Sequence, residues 1–354
     1  MKRFVWMIIL TFGALLVSFP SLAMTDGRWV IKGNIPQSGR INFPAVEDNG
    51  RIYLLGGTTG KWGYSTNSVD VLDPQTGSWS SASPMKEKKS SFVGLAYQGK
   101  IYVIGGIREG GEIYLKTVEI YDPETNTWSK GNPMPSQRGW IKGAVANGKI
   151  YILGGVNPPS TKKMNPTSPA INEEGTYDLF NPHSQQQKYY VFHLTNEVET
   201  YDPSTNTWAQ GPAMKDSLYN FALASLNDTI YLFGGEDQSG KVQDTLYILN
   251  TRINSWSQGA TLPVARANFQ AVVLENKIFL LGGFNDTSWV RQVDVYDSET
   301  DTWSSASPMN IARYGLGAAQ WNNRIYALGG GKWLDKADHI SSYEVFETGE
   351  VNKK

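Results

Sequence analysis

The chain has 354 residues and a formal net charge of −1, from 32 basic and 33 acidic residues. This balance gives no overall field that would draw the protein to nucleic acid or to an anionic membrane. The sequence contains no cysteine, which excludes thiolate zinc sites and cysteine nucleophiles, while its 36 glycines and 12 tryptophans favour a turn-rich β protein.

The first 23 residues have the composition of an export signal. Lys2 and Arg3 precede an apolar run over residues 4–19, and Ser21 and Ala23 supply the small residues of a cleavage site. A membrane anchor is the alternative, but sixteen apolar residues are short for a span of about 20. We therefore expect cleavage near Ala23 and a periplasmic or secreted product without a stable membrane span.

One phrase then recurs six times along the chain. From the second glycine of one copy to that of the next, the steps are 49, 49, 80, 48 and 47 residues, a period typical of a repeat architecture. The copies are RIYLLGG (51–57), KIYVIGG (100–106), KIYILGG (149–155), TIYLFGG (229–235), KIFLLGG (277–283) and RIYALGG (324–330).

Each copy lies within a pattern of four predicted antiparallel strands. A strand of small residues comes first, and two residues that tolerate positive φ, such as Asn49 and Gly50, connect it to the repeated phrase by a tight hairpin turn. A third strand ends near Tyr-Asp-Pro in several copies, and a fourth carries a tryptophan, as in NTWSKGNPM. The unit of the repeat is thus a four-stranded β-sheet.

The paired glycines, the Tyr-Asp-Pro turn and the tryptophan that follows give this repeat a close resemblance to the kelch repeat. The resemblance covers nearly the whole chain after the export signal, and it implies an all-β fold, a kelch β-propeller whose blades pack radially. Glycine and alanine in the innermost strands fit the crowding near the propeller axis, and the repeated aromatic residues fill the space between neighbouring sheets.

The number of blades follows from counting glycine pairs and tryptophans. Six glycine pairs are followed by only five strand tryptophans, and the sequence after Gly330 ends without a fourth strand. The segment GRWVIKGNIP (27–36) has the missing tryptophan, Trp29. We therefore predict six blades, the last built from residues 314–347 and an N-terminal strand around Trp29, within a single domain over residues 24–349 that is followed by a tail at 350–354.

One face of the predicted propeller gathers the irregular connections. If the strands are lettered a to d outward, the d–a and b–c connections share a face, and spare aromatic residues fall on it. They either fix long loops to the propeller or form an aromatic wall for a sugar ring or a peptide side chain. The tryptophans of this face are Trp62, Trp140, Trp289 and Trp333, and Tyr64 and Tyr114 accompany them.

A cationic residue recurs in the d–a connections of five blades, and Leu218 replaces it in the fourth. These side chains either pair with neighbouring carboxylates or form a cationic pore mouth for a carboxylate ligand. In kelch adaptors of animal cells, which this repeat resembles, arginines on this rim hold acidic peptides. The five residues are Arg40, Lys89, Arg138, Arg266 and Arg313.

Catalysis is the alternative to simple binding. The three histidines are too scattered to predict a metal site, and the copper chemistry of the kelch enzyme galactose oxidase requires a cysteine that this chain lacks. The chain is also similar to exported six-bladed kelch epimerases that act on N-acetylneuraminate. That resemblance implies a general base at Glu236, directly after the fourth glycine pair, whereas a structural role in binding loop amides is the alternative.

The b–c connection of the third blade is longer than its equivalents. This insertion, residues 156–196, has several prolines in its first half and is rich in aromatic residues in its second, including Tyr177 and Phe180. Because disordered linkers are poor in such residues, we expect the insertion to pack on the functional face as a wall or lid. An extended third strand is the alternative for its last aromatic residues.

Taken together, these patterns favour an exported recognition module that binds a glycan or a peptide at one propeller face. The alternative is a sugar-acid epimerase or mutarotase that uses Glu236. We expect a monomer that needs no cofactor or metal and does not bind nucleic acid.

Overall fold

The computed structural model describes residues 27–37, 39–60, 64–108, 113–161, 176–177, 190–334 and 336–348. At 159–161, 176–177, 190–192, 333–334 and 336–338 it describes the backbone alone. The described residues form an all-β propeller with six four-stranded antiparallel sheets, in agreement with the predicted count. Within the same residues, no helix is long and apolar enough to cross a membrane.

The first three blades follow the chain from the innermost strand a to the outermost strand d. Blade 1 contains Ala45–Asp48, Arg51–Leu55, Val69–Asp73 and Ser78–Ala82. Blade 2 contains Val93–Tyr97, Lys100–Ile104, Val118–Asp122 and Thr127–Gly131. Blade 3 contains Lys142–Ala146, Lys149–Leu153, Val198–Asp202 and Thr207–Gln210.

The last three blades have the same order, except that blade 6 takes its outer strand from the start of the domain. Blade 4 contains Ala222–Leu226, Thr229–Phe233, Leu246–Asn250 and Ser255–Gln258. Blade 5 contains Gln270–Leu274, Lys277–Leu281, Val293–Asp297 and Thr302–Ala306. Blade 6 contains Gly317–Trp321, Arg324–Leu328, Ser342–Glu347 and Arg28–Asn34.

Short additional strands occupy the b–c connections and, in one case, the d–a connection. They form two hairpins and two three-stranded sheets that lie outside the blades. Their bounds are Arg40–Ile41, Thr58–Thr59, Tyr64–Ser65, Ile107–Arg108, Ile113–Tyr114, Val156–Thr161, Thr176–Tyr177, Tyr190–Leu194, Gly331–Leu334 and Lys336–His339.

Local sequence explains the geometry of the hairpins within each blade. Both residues of every a–b turn have positive φ, from Asn49 and Gly50 in blade 1 to Asn322 and Asn323 in blade 6, as the sequence predicted. In the c–d turn of blade 1, the Asp73 carboxylate accepts hydrogen bonds from the backbone N–H groups of Gln75 and Thr76. This Asx turn reverses the chain before strand d.

The core is divided between the blades. Six clusters of buried apolar side chains each lie between two neighbouring sheets, and the inner strands contact one another in a closed ring. The N-terminal strand pairs along the third strand of blade 6, from Arg28 opposite Glu347 to Asn34 opposite Ser342. Trp29 packs on Phe346 and donates a hydrogen bond from Nε1 to the carbonyl oxygen of Ser307 at 2.9 Å. This is the contact that Trp303 makes with Ala260 one blade earlier.

Candidate functional site at the mouth of the axial channel

The paired glycines connect each blade to the next on the face that carries the d–a and b–c connections. The second glycine donates its N–H to the carbonyl oxygen of the d–a residue of the following blade, as in Gly106 to Arg138 at 3.0 Å. Gly330 donates to Arg40 at 2.8 Å and so links blade 6 to blade 1. Glycine is required here because both members have positive φ, and a Cβ on Gly155 would lie 2.5 Å from the carbonyl oxygen of Gly139.

The recurring cationic residues do not form a cationic pore mouth. All five side chains are fully buried and pair with a carboxylate from the third strand of their own blade. The prediction that Arg40, Arg138, Arg266 and Arg313 contact a ligand is therefore corrected. These side chains follow the alternative, in which they pair with neighbouring carboxylates. The pairs are Arg40–Asp70, Lys89–Glu119, Arg138–Glu199, Arg266–Asp294 and Arg313–Glu344.

Blade 4 replaces both members of this ion pair. Leu218 is 1% exposed in place of the cation, and Tyr247 stands in place of the carboxylate. The Tyr247 hydroxyl donates a hydrogen bond to Asp216. Blade 4 thus replaces the cation by Leu218 and the carboxylate by Tyr247, so neither position holds an unpaired charge.

Two residues beyond each cation, the chain turns at the channel mouth. In all six blades this residue has φ between 50° and 57°, and three of the six are asparagine. From blade 4 through blades 5, 6 and 1 to blade 2, the backbone N–H of each turn residue donates to the carbonyl oxygen of the turn residue before it. These hydrogen bonds, which run from Asn220 to Ser91, are 2.6 to 3.0 Å long. The residues are Asn42, Ser91, Trp140, Asn220, Asn268 and Gly315.

A cavity of about 120 Å³ lies inside this ring of turns, and all six turn residues line it. The amides of Asn42 and Asn268 meet across Gly315, with 3.4 Å between Asn268 Nδ2 and Asn42 Oδ1. The Ser91 hydroxyl is buried and has no hydrogen-bond partner among the described residues. The mouth of the channel is therefore a small polar site at which the Ser91 hydroxyl can form a hydrogen bond with a ligand.

Lys142 is the one ionisable residue among the described residues that line this cavity. It is the first residue of the inner strand of blade 3, and burial alone lowers the pKa of its ammonium group to about 8. Sequence reasoning missed it. Alignment of the repeats would have identified it, because the equivalent positions hold Pro44, Val93, Ala222, Gln270 and Gly317.

Among the described residues, Trp140 is the predicted tryptophan that lines the cavity. Its φ of 50° is in the left-handed region, which a bulky side chain seldom adopts. Its ring lies 6.2 Å from that of Tyr114, next to the apolar side chains of Ile107 and Val156. A strained residue at a cavity wall is a common feature of binding sites.

Glu236 lies behind the cavity wall and does not line the cavity. It is 8% exposed and accepts hydrogen bonds from the Tyr219 hydroxyl at 3.1 Å and from Asn220 Nδ2 at 2.8 Å. Burial raises the pKa of the Glu236 carboxyl, and the two hydrogen bonds oppose this rise. Asn220 does line the cavity, so it connects the carboxylate to the site.

The remaining predicted aromatic residues do not join this site within the described part of the chain. Trp289 packs against Phe284 and Tyr314 over blades 5 and 6, with ring centroids 5.5 and 5.0 Å away. Tyr64 is 71% exposed, whereas Tyr114 is buried. The side chains of Trp62, Trp333, Tyr177 and Phe180 lie outside the described residues.

The last aromatic residues of the blade 3 insertion belong to a strand separate from the third strand of the blade. Tyr190–Leu194 pairs with Val156–Thr161 and with Thr176–Tyr177, where Tyr177 is opposite Tyr190. Leu194 donates its N–H to the side-chain oxygen of Gln238 at 3.0 Å, which ties the end of the insertion to blade 4. Among the residues that the structure describes, no group of three or more histidine or acidic residues is placed to hold a metal ion.

Comparisons with known proteins agree with this architecture. A kelch motif model matches residues 39–86 and 89–135, and a model described as the KLHDC2/KLHL20/DRC7 kelch-repeats domain matches residues 181–350. The solved structure entitled "Structure of YjhT" is similar in fold, with a TM-score of 0.68 and 19% identity over 87% of this chain and 95% of that chain. The chain belongs to the kelch-repeat β-propeller family.

Proposed function

We propose that this protein is an exported, monomeric recognition module that binds the end of a glycan at the mouth of its axial channel. The observation that carries the proposal is the cavity itself, a polar site at the centre of the face that gathers the d–a and b–c connections. Its volume of about 120 Å³ is below the range of roughly 300–1,000 Å³ that is typical of pockets for whole small molecules. A terminal group would therefore enter the cavity while the rest of the ligand lies on the rim.

The chemistry of the lining favours a sugar over a peptide side chain. Asparagine amides and the Ser91 hydroxyl both donate and accept hydrogen bonds, as sugar hydroxyl groups do. Trp140 adds an aromatic wall of the kind on which a sugar ring packs. An apolar peptide anchor would leave these polar groups without partners, at a cost of about 1–3 kcal/mol for each buried group.

Glycan-array binding of the full chain, produced with its leader, tests this proposal. Two variants alter the site without forcing a new backbone conformation: Asn268→Gly, which keeps the left-handed turn, and Trp140→Gly, which also suits that turn. We expect the wild type to retain a defined set of glycans and both variants to lose it. Trp321→Ala is the control, since Trp321 ends the inner strand of blade 6 at the a–b hairpin on the opposite face.

Two outcomes would refute the glycan assignment. One is that the wild type retains no glycan, and the other is that both cavity variants retain the same glycans as the wild type. Selective retention of peptides on a matched peptide array would instead identify a peptide-binding module.

A sugar-acid epimerase or mutarotase is the second candidate, because Glu236 reaches the cavity wall through Asn220. A general base must lie within hydrogen-bond reach of its proton or one water away from it, so catalysis requires Asn220 to move or a water to bridge. The test is NMR of α-N-acetylneuraminate in D₂O with wild type and with Glu236→Gln. Anomeric equilibration no faster than in buffer would exclude this activity on that substrate.

A further inference from the structure

Lys142 places a positive charge at the cavity, and no carboxylate among the described residues pairs with it. The five buried cations of the d–a series each have a carboxylate partner in their own blade, whereas the half-buried Lys142 lies on the inner strand of blade 3. Lys142 has no hydrogen bond or ion pair with any described residue, and burial is the sole cause of its lowered pKa. Lys142 therefore differs from the other cations near the channel mouth, each of which has a carboxylate partner.

The surroundings of Lys142 are polar but neutral. The asparagine side chains of the turn ring, Ser91 and Gln270 share the cavity with it, and the lining contains no acidic residue among the described positions. Glu236, the nearest carboxyl of the site by connection, is already bonded to Tyr219 and Asn220 behind the wall. A charge that is partly withdrawn from water without a partner destabilises the fold, and such groups cluster at functional sites.

We infer that Lys142 is the anion-binding residue of the axial cavity and that the ligand end it receives carries a carboxylate. This inference rests on the proposed function, which places the ligand end in this cavity. One ammonium group balances one carboxylate, and the neutral amides around it can bond the remaining oxygen lone pairs. A phosphate dianion would need more positive charge than this cavity offers.

Titration of Lys142 by NMR tests the inference directly. Reductive ¹³C-methylation labels every lysine and keeps its charge, and Lys142→Arg assigns the Lys142 resonance. The probes are acetate, inorganic phosphate, methyl β-D-glucuronide and the neutral methyl β-D-glucoside. A ligand that binds the ammonium form ten times more tightly than the amine raises the measured pKa by about one unit. We expect a rise of this order with acetate and with the glucuronide, and none with the glucoside.

Affinity measurements on variants give a second readout. We expect Lys142→Met to weaken glucuronide binding by at least about tenfold, the loss of one charge-assisted hydrogen bond, and Lys142→Arg to retain most of it. Lys100→Met is the matched control, because it removes one positive charge from an exposed lysine that pairs with Asp122. It should leave binding unchanged. The titration of the wild type remains decisive if Lys142→Met fails to fold.

The outcomes separate this inference from the proposed function. If acetate raises the Lys142 pKa but no sugar binds, the anion site stands and the glycan proposal fails for these probes. If glucuronide and glucoside bind equally well and the Lys142 pKa does not move, the glycan site stands and the anion inference is overturned. A larger pKa rise with phosphate than with acetate would overturn the carboxylate assignment.

Discussion

At the scale of single residues, Lys142 sets a cost on the folded state that depends on pH. Its pKa is lowered from 10.5 in the unfolded chain to about 8 in the folded protein, so the unfolded chain holds the proton more tightly between these values. The cost is therefore fully present below about pH 8, and it disappears as the pH rises toward 10.5. Because one pKa unit corresponds to about 1.4 kcal/mol, a shift of this size costs about 3 kcal/mol.

Lys142→Met should remove this cost. We expect the variant to be more stable than the wild type at pH 7 by about 1–3 kcal/mol, with a difference that shrinks as the pH rises toward 10. Urea denaturation at pH 7 and pH 10 measures it, and Lys100→Met should give no such gain. A difference that is the same at both pH values would mean that the Lys142 ammonium is not buried.

Trp140 gives the second prediction at this scale. Asparagine occupies the equivalent turn in three other blades, so Trp140→Asn should relieve a left-handed conformation that costs about 1–3 kcal/mol. The same change loses aromatic contact with Tyr114 of about 0.5–1.5 kcal/mol. We therefore expect the free energy of unfolding to change by less than about 2 kcal/mol, while glycan binding is lost. A decrease of more than 3 kcal/mol in the free energy of unfolding would show that Trp140 acts mainly as a core residue.

The sequence predicted Trp140 as one of four tryptophans on this face, but it could not rank them. Only the tertiary structure shows that Trp140 lines the cavity and that Trp289 packs against Tyr314. For Lys142, strand alternation does not tell whether a charged side chain reaches the channel or the gap between blades. That depends on how closely the inner strands approach the axis.

At the scale of elements, each ion pair connects the d–a connection of a blade to the third strand of the same blade. Arg266 in the d–a connection of blade 5 pairs with Asp294 on its third strand, and its backbone carbonyl accepts from Gly235 of blade 4. The backbone of Arg266 therefore joins two blades, while its side chain joins the d–a connection to the third strand of blade 5. In blade 4, the buried side chains of Leu218 and Tyr247 occupy the positions of this ion pair.

Arg266→Leu should be strongly destabilising because it leaves Asp294 buried without its cation. We expect a loss of about 3–5 kcal/mol in urea denaturation. The double variant Arg266→Leu with Asp294→Tyr copies the residues of blade 4 and should recover at least half of that loss. A double variant as unstable as the single one would show that blade 4 depends on Asp216 or on other neighbours for its stability.

The sequence predicted these residues as a series and left two roles open. A cation at the same place in five repeats indicates a shared task, but spacing alone does not say whether its partner is a ligand or a carboxylate of the protein. The sequence did indicate the partner, because each of these blades has a carboxylate on its third strand. The carboxylates are Asp70, Glu119, Glu199, Asp294 and Glu344. Tertiary packing decided the matter, because it brings the d–a connection of each blade against the third strand that carries the carboxylate.

At the scale of the whole molecule, the N-terminal strand closes the ring. Without Arg28–Asn34, blade 6 would keep three strands and expose the edge of Ser342–Glu347, along with the Phe346 ring that Trp29 covers. Because the inner strands form a closed ring, a weak blade 6 weakens its contacts with blades 1 and 5 as well.

Deletion of residues 1–34 should lower stability by at least the cost of removing a buried tryptophan, about 3–5 kcal/mol. Thermal denaturation followed by tryptophan fluorescence would measure the loss. A synthetic peptide of residues 27–36 should restore the melting temperature in a concentration-dependent way, and the same peptide with Trp29→Ala should not. Equal stability of the deleted and complete chains would contradict closure through this strand.

The sequence by itself determined the repeat, the four strands of each blade and the chain segment that completes the last blade. These properties are local, since turn residues, glycine pairs and strand alternation act over a few neighbours and recur in every copy. Only the tertiary structure showed which charged side chains have a partner within the protein. Five cations pair with carboxylates of their own blades, and Lys142 has no such partner among the described residues. This balance depends on contacts between segments that are distant in the chain and on the distance of each side chain from the axis.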